Sequence, residues 1–160
     1  MRIQIVAVGK LKAGPERELY ARHAERISAA GRSVGLGPLD LVEIAEGRAP
    51  AVAARMTDEA TRLLARCAGA DVRVVLDERG TPLSSQAFAD MLRRFRDRSC
   101  ANLAVLIGGP DGHGADARAA ADVVVSLSAM TLPHGLARIV LAEQIYRAIT
   151  IAAGHPYHRA

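Results

Sequence analysis

Apolar residues along this chain switch between short continuous runs and stretches spaced at about 3.6 residues, and each switch marks the border of an element. Ile3 to Val8 reads as a first strand, Glu16 to Ala29 as an amphipathic helix, Asp40 to Ile44 as a second strand and Pro50 to Arg66 as a second helix. Between them, Gly31 to Pro38 carries three glycines and a proline and reads as a loop. Asp71 to Leu76 gives the third strand, and Asp77-Glu-Arg-Gly80 a turn. Ser84 or Ser85 is placed to cap a helix running to Phe95, with Leu83 packing back as a staple. Leu103 to Ile107 is the fourth strand, Ala115 to Ala121 a short alanine-rich helix, and Val123 to Leu127 the fifth strand. A long final helix follows Pro133, and its apolar residues cover nearly the whole circumference, which predicts burial from several sides.

Strand and helix patterns alternate from end to end, so the expected class is α/β, a mostly parallel sheet with helices on both faces. At 160 residues the chain is expected to form a single domain over 1–160. A chain of that length buries roughly 70% of its unfolded surface without help from disulfides or metal. Cys67 and Cys100 lie far apart with no Cys-x-x-Cys spacing, and no secretory or transit pattern precedes the first strand. Both cysteines are expected to be buried or half-buried small apolar residues in the reducing cytoplasm. The apolar stretch Gly135 to Ala153 could suggest a membrane span, but Arg138, Glu143, Gln144 and Arg147 interrupt it. A central Arg costs about 2.5 to 3.5 kcal/mol to insert, so no membrane partner is expected.

The charge balance of 21 Lys plus Arg against 17 Asp plus Glu leaves +4, which is compatible with an acidic partner such as RNA. Aromatic residues make up only 3% and there is no Trp, so the chain lacks a base-stacking platform and would meet RNA through charge and shape.

Candidate chemistry gathers in the C-terminal half. Leu106-Ile-Gly-Gly-Pro-Asp-Gly112 ends a buried strand where side chains vanish, so backbone can approach a ligand closely. Ser126-Leu-Ser-Ala-Met-Thr-Leu-Pro-His134 follows the fifth strand, and His155-Pro-Tyr-His-Arg159 forms a polar tail. A dinucleotide fingerprint can be drawn through Gly112-His-Gly-Ala-Asp-Ala117, but the ribose-binding acid about 20 residues on is missing. A phosphate-binding loop also fails, because no Gly-Lys-Ser/Thr follows the glycines. Two histidines three apart in the tail, with no third ligand, make a poor metal site, and no metal is expected.

In this order and spacing the three passages resemble the RlmH family, SPOUT-class methyltransferases that use S-adenosylmethionine to methylate N3 of a pseudouridine in large-subunit ribosomal RNA. The likeness covers most of the chain, is strongest from Leu76 onward, and extends to the opening Ile3-Gln-Ile-Val-Ala-Val-Gly-Lys10. Asp111 stands where the family commonly has Glu, and His113 where it commonly has an aliphatic residue.

The resemblance implies a SPOUT fold with a C-terminal trefoil knot, a homodimer, and a cofactor pocket in the knot loops. It assigns Leu76, Gly108, Leu127, Ser128, Ala129, Met130, Thr131 and Leu132 to the S-adenosylmethionine site. The tail becomes the edge of the active site, folding over the cofactor, with Tyr157, His158 and Arg159 as catalytic candidates. His158 could accept the N3 proton, Arg159 could stabilise the developing anion or hold a phosphate, and Tyr157 could position the base. Glu143 and Arg147, four apart, are expected to pair along one helix face. Arg138 is a candidate for RNA or the dimer seam, and Lys10 and Lys12 for phosphate contact. The implied target is helix 69 of large-subunit rRNA within the ribosome. The alternatives are a knotted RNA methyltransferase with another target, or a nucleotide-binding, ribosome-associated module without catalysis.

Overall fold

The computed structural model describes residues 1–158. Its elements in chain order are β1 (Arg2–Val8), α1 (Pro15–Gly31), β2 (Leu39–Ile44), α2 (Val52–Arg66), β3 (Val72–Pro82), α3 (Ser85–Asp97), β4 (Asn102–Ile107), α4 (Ala115–Ala119), β5 (Val123–Ser126) and α5 (His134–Ala152). Short 3₁₀ turns occupy Arg32–Val34 and Pro156–His158. The strands form one sheet in the order β2-β1-β4-β3-β5, and every pairing is parallel.

Alternation along the strands splits the apolar residues between two faces. Ile3, Ile5 and Ala7 of β1 and Leu103, Val105 and Ile107 of β4 pack with residues of α1, α3 and α5. Val6, Val8, Ala104 and Leu106 turn the other way, to Leu63 and Cys67 of α2. A sheet covered on both sides needs strands apolar at every position, which is why β1 and β4 read as unbroken runs. Cys67 is buried and Cys100 half-buried, both unpaired. Ser84 caps α3 by accepting from the Ala87 backbone N–H at 3.1 Å.

Two expectations need correction. The turn read over Asp77–Gly80 lies inside β3, because the chain re-pairs beyond it: Leu76 and Thr81 both register with Val125, and Pro82 with Ser126. Residues 77–80 thus arch past β5, and Gly80 passes so near that a Cβ there would sit 2.6–2.8 Å from the backbone of Val124 and Val125. Nor is α5 buried all round. Leu141, Ile145 and Ile149 are buried, but Leu136 and Val140, one turn apart, are 43% and 36% exposed.

Arg138 is the largest fully buried side chain. It lies on α5 and reaches the C-terminal end of β1, where its guanidinium donates to the Val8 carbonyl and, at 2.9 Å, to that of Gly9. A third bond, also 2.9 Å, goes to Glu43 of β2. Burial pulls this guanidinium below the ordinary arginine value, while Glu43, Tyr20 and Glu16 oppose the shift. The expectation that Arg138 meets RNA or a dimer seam is therefore overturned, since its side chain is sealed inside the chain.

Replacing Arg138 by Met should cost about 3 kcal/mol, because Glu43 and two carbonyls lose their partner. Urea denaturation checks this, and a change below about 1 kcal/mol would show that the pair does not anchor α5. Gly80→Ala should also lower the melting temperature, since the added methyl meets backbone rather than a movable side chain. An unchanged melting temperature would contradict the crossing.

Candidate active site

In a parallel sheet the C-terminal strand ends lie together, and ligands collect there. Here the ends of β3 (Leu76), β4 (Ile107–Gly108) and β5 (Ser126) open on a cavity of about 810 Å³. Its floor is the β4–α4 loop. Gly112 donates to the Gly109 carbonyl at 2.9 Å, closing a tight turn over Pro110 and Asp111, and Gly112 adopts φ +79°, which favours glycine. A Cβ on Gly108 would lie 2.9 Å from the Gly112 backbone, so the loop folds back on itself only because that position has no side chain. Arg55 of α2 fastens the loop from outside, its Nε bonding Asp111 at 2.9 Å and its Nη1 the Ala49 and Pro50 carbonyls at 3.0 Å each.

The far wall is the loop after β5. Ser126 Oγ donates to the Ser128 carbonyl at 3.0 Å, and Ser128 Oγ accepts from the Met130 backbone N–H at 2.9 Å. These local bonds explain the serines: they hold an irregular backbone in shape without a regular ladder. The loop leads to Pro133 and into α5, whose first turn contributes His134 and Ala137 to the rim. Glu16 of α1 lies against Gly135 in that turn, a carboxylate placed at the positive end of the helix.

Of the residues assigned to the cofactor, Leu76, Gly108, Leu127, Ser128, Met130, Thr131 and Leu132 all line this one cavity. Ala129 sits in the same loop, exposed and turned off the lining. Lys10 and Lys12 are exposed just beyond β1, at the same end of the sheet but outside the cavity.

Of the tail candidates, the structure describes the side chain of Tyr157 alone. The Tyr157 ring meets Tyr146 edge-on at 4.9 Å, with the Arg147 guanidinium 5.2 Å from its centre. Its hydroxyl lies 3.5 Å from Glu143, which pairs with Arg147 at 2.6 Å as expected. These contacts fall on the middle of α5, whereas the cavity adjoins its first turn. From Ala137 to Glu143 the helix rises about 9 Å. Tyr157 does not line its own chain's cavity. Arg159 and the His158 side chain lie outside what the structure describes.

Sequence reasoning missed Asp77, His113 and Arg118, which share the cavity wall. Arg118 pairs with the largely buried Asp77 at 3.4 Å and donates to the His113 carbonyl at 2.5 Å. Burial pushes the His113 imidazole below the ordinary histidine value; Asp77 opposes this and Arg118 adds to it. A lone basic residue in the alanine-rich α4, and an acid directly after the apolar run of the third strand, were the available signals. Chemically, the cavity combines backbone donors and acceptors with aliphatic walls and a few charges at one end, a composition suited to a nucleoside-sized ligand.

A protein-family profile described as "Predicted SPOUT methyltransferase" matches residues 1–158. A Brucella anthropi protein named "Ribosomal RNA large subunit methyltransferase H" is 48% identical over 160 residues, covering 100% of both chains. A Sinorhizobium fredii protein of the same name is 50% identical, again over 100% of both. Among solved structures, a "Probable Methyltransferase" from Bordetella pertussis superposes with a TM-score of 0.54 at 18% identity, over 92% of this chain and 96% of that one. A "probable methylase family protein" from Haemophilus influenzae gives 0.56 at 12%, over 99% and 70%. These two speak for the fold alone. Full-length identity near one half, together with the family match, settles membership: the chain belongs to the SPOUT methyltransferases and, within them, to the ribosomal RNA large subunit methyltransferase H family.

Proposed function

We propose that this enzyme uses S-adenosylmethionine to methylate N3 of a pseudouridine in helix 69 of large-subunit rRNA, acting as a cytoplasmic homodimer on the assembled ribosome. The observation that carries the reading is the convergence of seven assigned residues, from three strand ends far apart in sequence, on one cavity. The single unit 1–160 supplies the catalytic domain. A trefoil knot in the C-terminal half belongs to the same reading. No described helix is long and apolar enough to cross a membrane.

The residues present fit the cofactor. Gly108 leaves backbone open to close approach, Leu76, Leu127 and Leu132 offer apolar walls, and the Ser128 loop offers backbone polar groups. Bound there, S-adenosylmethionine would supply an electrophilic methyl on a sulfonium. The protein's part is to hold donor and acceptor in line and to deal with the N3 proton. Holding that alignment falls to the loops at 108–113 and 127–132. Proton removal falls to the tail, with His158 as base, Arg159 facing the developing anion and Tyr157 positioning the base.

Because Tyr157 is packed on the middle of α5 and does not line its own chain's cavity, the tail is assigned to the cavity of a second copy. The exposed Leu136 and Val140 support this arrangement, with Met130, 77% exposed, beside the cavity. A second copy laid on that stripe would cover the apolar surface and bring its own tail toward the cleft. Lys10 and Lys12, exposed at the same end of the sheet, would meet RNA phosphates.

Labelled methyl transfer should be seen with assembled ribosomes and be weaker with free subunits and naked rRNA, the product being N3-methylated pseudouridine by mass analysis. Ribosome association without transfer would instead mark a non-catalytic module, and a different modified base another target. Deleting Tyr157 to Ala160 should leave cofactor binding within about twofold while lowering methylation by about 100-fold or more. Mixing that truncated chain with a Gly108→Val chain should restore activity in mixed dimers. Failure to complement would return the tail to its own chain's site.

A further inference from the structure

His113 is only 3% exposed and lines the cavity; the Leu76 and Leu106 carbonyls lie near its ring, yet neither ring nitrogen completes a well-formed hydrogen bond. That combination is costly. A buried polar atom without a partner destabilises the fold, so an aliphatic side chain of similar size would serve a purely structural purpose better. The surroundings hold the residue in place: Arg118 fixes its carbonyl, the Gly112 turn precedes it, and a Cβ on the next residue, Gly114, would come within 3.2 Å of the Met56 carbonyl. Turning the ring about its side-chain bonds moves its nitrogens without moving the backbone.

We propose that His113 is a specificity-determining residue of the donor cavity, its neutral imidazole hydrogen-bonding a polar group of the bound nucleoside that the aliphatic walls cannot satisfy. The inference rests on the reading of this cavity as the S-adenosylmethionine site. A neutral imidazole offers one donor and one acceptor, and adenine and ribose present both kinds of partner. Filling the cavity gives the ring its missing partner, so energy lost in the empty protein is recovered on binding.

The same geometry makes binding depend on acidity. The titratable and charged groups around the ring are Asp77, Glu78 and Arg79 from β3, Arg118 from α4, Asp111 from its own loop and His134 from the first turn of α5, while α2 contributes the uncharged Met56. Burial holds the imidazole neutral below its ordinary value of 6.5. Its contribution to stability is therefore complete above that value and is lost as the pH falls toward the lowered one. Protonation would also set an imidazolium in the same cavity as a sulfonium cation, so acid should weaken S-adenosylmethionine more than the uncharged-sulfur product, S-adenosylhomocysteine.

The test is calorimetry with both ligands on the full chain, its His113→Leu and His113→Gln variants, and a melting curve of each without ligand. His113→Leu should melt higher than the parent yet bind S-adenosylmethionine about tenfold more weakly, and His113→Gln should recover most of the affinity. The parent's preference for S-adenosylmethionine over its product should shrink as the pH is lowered below 6.5, and the Leu variant's should shrink less. Equal affinity of parent and Leu variant, or a pH dependence shared by both, would overturn the proposal. A Leu variant that fails to fold would be replaced by the Gln variant and the parent's own pH series, which keep the same two outcomes. Absence of binding by the parent itself would sink the reading of the cavity, a result distinct from either.

Discussion

The arrangement of the C-terminal half depends on one buried cation. Arg138 ties the first turns of α5 to the ends of β1 and β2 through Val8, Gly9 and Glu43. A guanidinium in a dry interior is tolerable only when paired and bonded; both terminal nitrogens of Arg138 are bonded while its Nε is left without a partner, and the carbonyls at a strand end supply acceptors that no side chain need provide. The consequence is positional. Since α5 begins where the sheet ends, the loop joining β5 to α5 is forced across the mouth of the cavity, and Ser128 through Leu132 become its wall.

The cavity itself is made mainly of backbone. Its chemistry comes from bending peptide groups into the space left by absent side chains, at Gly108 and Gly112, and from fixing those bends with Ser126, Ser128 and Arg55. The close passage of Gly80 by Val124 and Val125 belongs to the same economy of volume, since two chain segments can share one strand's neighbourhood only if one of them has no Cβ to place there. Preorganised backbone of this kind loses little entropy on binding.

Much of this was legible from residues alone, and the reasons differ by element. The runs at Ile3–Val8 and Leu103–Ile107 announced strands covered on both faces, and Ser84 announced a helix start, because each is a local pattern with one physical reading. The order β2-β1-β4-β3-β5 was not legible, since periodicity carries no information about neighbours. Arg138 was misread for a related reason. An arginine on a helix is the same letter whether it faces RNA or a ring of carbonyls, and only the tertiary path of β1 distinguishes the two. His113 stood out from the sequence as a departure from the family pattern, but its sealed, unpartnered state required coordinates.

The placement of the tail carries the argument furthest. Tyr157 is held against Glu143, Tyr146 and Arg147, about two turns along α5 from the cavity rim, and a helix held along its length by α1 and α3 cannot bend to close that gap. Within one chain the two candidate halves of the active site are therefore kept apart by the same packing that stabilises the fold. An apolar stripe left open on that helix, at Leu136 and Val140, is what such a chain needs if the separation is resolved by a second copy rather than by motion. Assembly would then be a condition of catalysis: a lone chain could bind the methyl donor and still lack the groups that take the proton from its substrate.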